Sequence, residues 1–138
     1  MIRAAADAMP QSYVTGVTIL TSMSEDDVSE VGYKSSALAS AVSLAKVAIL
    51  GGARAIVCSP LEITAVRVAI GTDPLIITPG VRPHEMAGSD DQQRTMTPED
   101  AIAAGANLVV IGRPITQMWA LGANAMSEKA AEIGSRLI

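Results

Sequence analysis

Four short apolar runs recur along the chain, each ending in small or turn-forming residues: Tyr13 to Leu20, Arg54 to Cys58, Leu75 to Thr78 and Leu108 to Ile111. Their length, β-branched content and turn-rich ends make them strands of the kind buried on both faces. Helical signals alternate with them. Ser24 before Glu25-Asp26-Asp27 is an N-cap followed by first-turn acids, so a short helix runs toward Gly32. Leu38, Ala41, Val42, Ala45, Ala48 and Ile49 form one helical face, opened by Ser35 or Ser36 and stopped by Gly51-Gly52. Ser59-Pro60-Leu61-Glu62 and Thr97-Pro98-Glu99-Asp100 are two further helix starts, with cap, proline and acid in sequence. Met1 to Met9 has helical composition and ends at Pro10, Pro114 to Leu121 reads as a turn or short helix, and Asn124 to Ile138 as a last amphipathic helix.

This alternation restricts the architecture severely. Strand–helix units with buried-type strands imply a parallel sheet with right-handed crossovers and helices outside. The spacing is that of a (β/α)8 barrel, which needs eight units where this chain has four, so the expected fold is a four-strand parallel half barrel. A doubly wound open sheet is the structural alternative. It lacks a dinucleotide fingerprint, since Gly51-Gly52 precedes a strand rather than following one. At 138 residues, without a linker or low-complexity segment, the chain is expected to be a single domain, 1–138.

Composition narrows the function. The chain is 49% hydrophobic with no Phe, one Trp and two Tyr, so its core is built from small and branched side chains. It lacks the aromatic platforms used for single-stranded nucleic acid. A formal net charge of −4, with no block of Lys or Arg, argues against nucleic-acid or anionic-membrane partners. No apolar stretch reaches the length of a membrane span, and Met1 to Met9 is not a signal peptide. With Cys58 as the single cysteine, a reducing, cytoplasmic setting is expected.

The last two strands carry the clearest chemistry. Leu-Ile-Ile-Thr-Pro-Gly-Val-Arg-Pro from Leu75, and Val-Val-Ile-Gly-Arg-Pro-Ile-Thr from Val109, each end a strand in glycine and arginine. Gly80 and Gly112 let backbone approach a ligand, while Arg82 and Arg113 bring positive charge to the same strand ends. Two successive strands ending this way form a phosphate-binding rim, in the place where a barrel's last loops hold phosphate. The polar loop from Arg82 to Met96 has the length of a lid, from which Gln92 or Gln93 could donate an amide. Thr21 and Ser22 end the first strand, available to a ligand or to cap the next helix. Ser59 reads as an N-cap rather than a nucleophile, because the only histidine, His84, lies in the loop. Neither His84 nor Cys58 builds a metal site, and Lys34, Lys46 and Lys129 fall within or beside helices, away from strand ends. The chain thus presents a binding surface with no catalytic group of its own.

Val17-Thr18-Ile19-Leu20-Thr21-Ser22-Met23, Val57-Cys58-Ser59, Ile77-Thr78-Pro79-Gly80-Val81-Arg82-Pro83, Asp91-Gln92, Met96-Thr97-Pro98 and Val110-Ile111-Gly112-Arg113-Pro114-Ile115-Thr116 together resemble the orotidine 5′-phosphate decarboxylase family, in order and spacing, across nearly the whole chain. The resemblance is to the carboxyl-terminal half of that family, strands five to eight. It implies a (β/α)8 barrel that converts orotidine monophosphate (OMP) to UMP in pyrimidine synthesis, without metal or cofactor. It further implies that Arg82, Gln92, Gly112 and Arg113 hold the 5′-phosphate and that Thr21 lies by the base or ribose. Gln92 is preferred over Gln93 because the family motif places Gln directly after Asp. The family's catalytic Asp-x-Lys-x-x-Asp pattern is absent from this sequence, so the isolated chain is expected to be inactive. Its expected partners are a nucleotide monophosphate and either a second copy or a missing barrel half. The alternatives are a non-catalytic nucleotide-monophosphate-binding module and a related sugar-phosphate decarboxylase.

Overall fold

The structure is a computed structural model that describes residues 1–82 and 95–137. Its sheet has four parallel strands in the order β1-β2-β3-β4: β1 Thr15–Val17, β2 Ala55–Val57, β3 Leu75–Thr78 and β4 Leu108–Val109. The helices are α1 Ile2–Ala8, α2 Glu25–Glu30, α3 Ala37–Leu50, α4 Ile63–Ile70, α5 Pro98–Ala103, α6 Arg113–Thr116 and α7 Ala123–Ser135. A 3₁₀ turn, Pro60–Glu62, leads into α4, and another, Gln117–Leu121, joins α6 to α7. The expected four-strand parallel α/β arrangement is the one observed.

Local chemistry explains most helix boundaries. At α2 the Ser24 hydroxyl accepts from the Asp27 N–H at 3.1 Å, while an Asp27 carboxylate oxygen accepts from the Ser24 N–H and Oγ, each at 2.7 Å. Those hydrogen bonds, the Ser24 hydroxyl first, hold the exposed Asp27 carboxyl below its ordinary pKa. A depressed folded-state pKa stabilises the cap above the ordinary carboxylate range, and that contribution is lost as pH falls through the folded pKa. Protection of the α2 amides, measured relative to intrinsic exchange at each pH, is therefore expected to fall on acidification in the native chain, with this pH-dependent part missing in Asp27→Asn. Glu25 reaches beyond its own helix and accepts the Ala37 N–H at 2.9 Å, supplementing the Ser36 cap of α3.

Small residues set the distance between α3 and the sheet. The buried face of α3 is Ala37, Ser40, Ala41, Ala45 and Ala48, and Ala48 lies directly over Gly16 of β1. The main core joins that face to Ile56, Cys58 and Ile76 of the sheet and Ile63 and Val66 of α4. Ile56, Ile63 and Ile76 are fully enclosed, each worth ~1.5–3 kcal/mol relative to exposure. A second cluster of Ile19, Val28, Ala37 and Ala41 fastens α2 to the first strand's outgoing segment.

The strand register divides the sheet into two faces. Gly16, Ile56 and Ile76 are aligned and point toward the helices. Val17, Val57, Ile77 and Leu108 form the next aligned row, which alternation places on the opposite face. The expectation of strands buried on both faces therefore fails at the sheet's edges, where Val17 is 57% and Leu108 52% exposed. Helices cover one side, and within the described chain nothing covers the other. The outer strands are also shorter than their apolar runs, which extend from Tyr13 to Leu20 and from Leu108 to Ile111. Hydrophobic composition marks where a strand passes; only a paired neighbour marks where it stops. Tyr13 lies outside β1, with the Arg54 guanidinium 3.9 Å from its ring centre.

Candidate functional site

A parallel sheet sends all its outgoing loops to one end, and every candidate residue within the described chain is on that end. Thr21 follows β1, Ser59 follows β2, Gly80 and Arg82 follow β3, and Gly112 and Arg113 follow β4. Because β3 and β4 are neighbours, their loops meet. A cavity of about 230 Å³ is lined by Gly80, Arg82, Gly112 and Arg113, with Pro79 and Pro114 among its other walls. The two glycine–arginine strand ends singled out by sequence therefore share one pocket.

Each part of this pocket has a local cause. Gly80 has φ 76°, a left-handed conformation that costs glycine little and lets the chain turn out of β3. Val81 then pairs with Met96 in a parallel bridge, and the Arg82 N–H donates to the Met96 carbonyl at 2.9 Å. The Arg82 residue is 7% exposed. Gly112 precedes α6, and its carbonyl accepts from the N–H groups of Ile115 and Thr116. A Cβ placed on Gly112 would meet no atom outside its immediate chain neighbours within 4 Å, so its side-chain direction is open. Arg113, the first residue of α6, is exposed. One buried and one exposed guanidinium thus flank an open backbone turn, a geometry suited to a small multivalent oxyanion.

Thr21 is buried, at 8% exposure, but lies across the sheet from this pocket, with β2 between its strand and β3, and it does not line the cavity. It does not cap α2 either; Ser24 does. Gln92, Gln93 and His84 lie outside the described residues. Ser59 occupies the N-cap position, but its hydroxyl makes no hydrogen bond of good geometry. The buried Glu62 carboxylate closes that turn instead, accepting the Ser59 N–H at 3.1 Å. Thr78, at the end of β3, is likewise a fully buried hydroxyl without a partner. Nothing in the sequence singles out Thr78, since a threonine within a β-branched run carries no distinguishing signal.

Larger cavities lie elsewhere. One of about 500 Å³ between α1 and α3 is walled by Met1, Ile2, Arg3, Val47, Leu50 and Gly51, a mostly apolar lining in which Arg3 is the single charged side chain. Among the described residues no group of three or more His, Cys, Asp or Glu side chains could hold a metal ion, and no helix is long and apolar enough to cross a membrane.

Residues 1–125 match the family described as orotidine 5′-phosphate decarboxylase / HUMPS. The orotidine 5′-phosphate decarboxylase of Thermobifida fusca is 48% identical over 133 residues, which is 96% of this chain and 56% of that protein. The one from Opitutus terrae is 49% identical over 106 residues, 77% of this chain and 46% of that protein. Among solved structures, orotidine 5′-phosphate decarboxylase from Lactobacillus acidophilus superposes with a TM-score of 0.75 at 32% identity, covering 99% of this chain and 58% of that one. The chain spans about half the length of these relatives, and its sheet corresponds to half of a TIM barrel.

Proposed function

The chain belongs to the orotidine 5′-phosphate decarboxylase / HUMPS family, and from that premise we propose that it carries the nucleotide-phosphate-binding half of such an enzyme, its carboxyl-terminal strands five to eight, as one domain over 1–138. The ligand on this reading is a nucleoside 5′-monophosphate, OMP or UMP. Arg82, Gly112 and Arg113 hold the phosphate, Gln92 closes over it, and Thr21 faces the base or ribose. The carrying observation is the shared pocket of Gly80, Arg82, Gly112 and Arg113 at the outgoing ends of adjacent strands. The family name supports the substrate class, and the reading carries a cytoplasmic setting and chemistry that draws on neither metal nor cofactor.

The same reading makes the isolated chain inactive. Decarboxylation leaves a carbanion, so rate enhancement requires charges that favour the transition state over bound substrate, and an acid to deliver a proton. Phosphate contacts made equally in both states supply affinity alone. Asp-x-Lys-x-x-Asp, the arrangement that would supply those charges, does not occur in the sequence.

Titration with UMP tests the binding claim. Arg113→Ala removes an exposed cation from the pocket wall and is expected to weaken UMP roughly 10- to 100-fold, the loss of one charge-assisted contact of ~1.5–3 kcal/mol. Unchanged UMP affinity in that variant, or UMP production from OMP by the purified chain, would refute the corresponding half of the proposal.

A further inference from the structure

The two strands that carry the rim share the shortest pairing in the sheet. β3 and β4 are matched at two positions, Ile77 with Leu108 and Thr78 with Val109, against three in each of the other strand pairs. Beside the rim, the Val110 N–H donates to the Thr78 carbonyl at 2.9 Å. At the entering end a side chain lengthens the ladder. Asn107 donates its own N–H to the Ile76 carbonyl at 2.9 Å, and its Oδ1 accepts the Ile76 N–H at 2.8 Å. One residue therefore takes up both backbone polar groups that Ile76 turns toward β4.

Arg67 fixes which atom of that side chain faces β3. Its Nη2 donates to Asn107 Oδ1 at 2.7 Å and to the Gly105 carbonyl at 2.9 Å. The atom between the guanidinium and the Ile76 N–H thus has donors on both sides, and only an acceptor oxygen satisfies them. Through Nη1 the same guanidinium holds the carbonyl of Pro74, the residue before β3, at 2.8 Å. Helix α4 thereby anchors both strands where they enter the sheet. Neither Arg67 nor Asn107 lines the pocket. Gly112 lies five residues beyond Asn107, roughly 16 Å along an extended chain.

We propose that Asn107, oriented by Arg67, is a positioning residue for the pocket: it fixes β4 against β3 and so sets the spacing between the Gly80–Arg82 and Gly112–Arg113 strand ends. Hydrogen bonds to an oxyanion tolerate only a narrow range of distances, and affinity is gained when the donors are spaced before the ligand arrives. With two paired positions, the β3–β4 ladder has few backbone bonds of its own to keep that spacing. The consequence for nucleotide affinity rests on the binding function proposed above; the spacing itself does not.

Amide hydrogen exchange of the purified chain without nucleotide reads the β3–β4 seam. In Asn107→Ala the Val110 amide is expected to lose protection roughly 5- to 10-fold, the worth of about one hydrogen bond. The Thr18 amide, which donates to the Val57 carbonyl on the far side of the sheet, is expected to keep its protection. Asn107→Asp is expected to keep both, because a carboxylate oxygen accepts from Arg67 and from Ile76 alike. Asn107→Ser, whose hydroxyl is one bond shorter, repeats the comparison if the alanine variant does not fold. Unchanged protection at Val110, equal losses at Val110 and Thr18, or an aspartate variant that behaves as the alanine one would each overturn the proposal. Titration then reads the consequence: Asn107→Ala is expected to bind UMP about 5- to 10-fold more weakly than the native chain, and to cost much less in an Arg113→Ala background. Native UMP affinity in Asn107→Ala, or losses that multiply in the double variant, would overturn the link to the pocket. A seam that loosens as expected in a chain whose native form binds no UMP upholds the positioning role and refutes the binding function instead.

Discussion

Gly16→Ala is expected to destabilise the fold by ~1–3 kcal/mol, and Gly16→Val by the upper end of that range or more. A Cβ at Gly16 would stand 2.6 Å from the Ala48 Cβ and 3.3 Å from the Ile56 Cδ1. The first distance is well inside carbon–carbon contact, and the Ala48 Cβ is fixed to the helix backbone, so α3 itself must move off the sheet. That shift would loosen a core built from close-set alanines, where little side-chain length is available to refill the gap. Denaturant unfolding of Gly16→Ala, Ala48→Gly and the double variant checks the cause. Ala48→Gly alone costs about 1 kcal/mol of helix propensity. In the Gly16→Ala background it should cost much less, because it also removes the clash. Strict additivity of the two changes would show that the close approach is not the source of the loss.

Arg67→Ala is expected to cost ~2–4 kcal/mol, as several charge-assisted bonds with partial solvent access are lost together. From α4 the guanidinium donates to the carbonyls of Gly71 at 2.9 Å and Pro74 at 2.8 Å through Nη1. Through Nη2 it donates to the Gly105 carbonyl at 2.9 Å and to Asn107 Oδ1 at 2.7 Å. Asn107 Oδ1 also accepts the Ile76 N–H at 2.8 Å, so one fork ties the loops entering β3 and β4 to each other. Those strands carry the pocket on their far ends, which gives Arg67 a part in setting the pocket's register from a distance. Arg67→Lys should recover little of the loss, since an ammonium cannot span the fork. Equal stability of the lysine variant and the native chain, by chemical denaturation, would refute this account.

Signals that act within a few residues of themselves are legible in the amino-acid sequence alone. Ser24, Ser36 and Thr97 cap the helices they precede. Leu75 to Thr78 is β3 as its composition indicates. The glycine–arginine pairs sit at strand ends because a turn residue after an apolar run is itself a local instruction. Ser59 shows where such reading breaks down. Its motif is a good helix start, yet its hydroxyl is left unpartnered while Glu62 closes the turn, an outcome set by how the residues around β2 pack. Thr21 shows another limit. Its strand-end position is legible, but its separation from Arg113 depends on strand order, which sequence spacing alone does not state.

By itself the sequence determined the alternation of parallel strands and helices, the helix starts, and the chemistry at the ends of β3 and β4, because caps, turn residues and apolar periodicity act over one or two turns of chain. Tertiary structure alone decided that Gly80, Arg82, Gly112 and Arg113 share one cavity, that Arg67 joins two loops, that Gly16 must stay small beneath Ala48, and that the helices among the described residues all lie on one face of the sheet. Each of these depends on which strand lies beside which and at what register, and that is settled by packing between residues far apart in the chain.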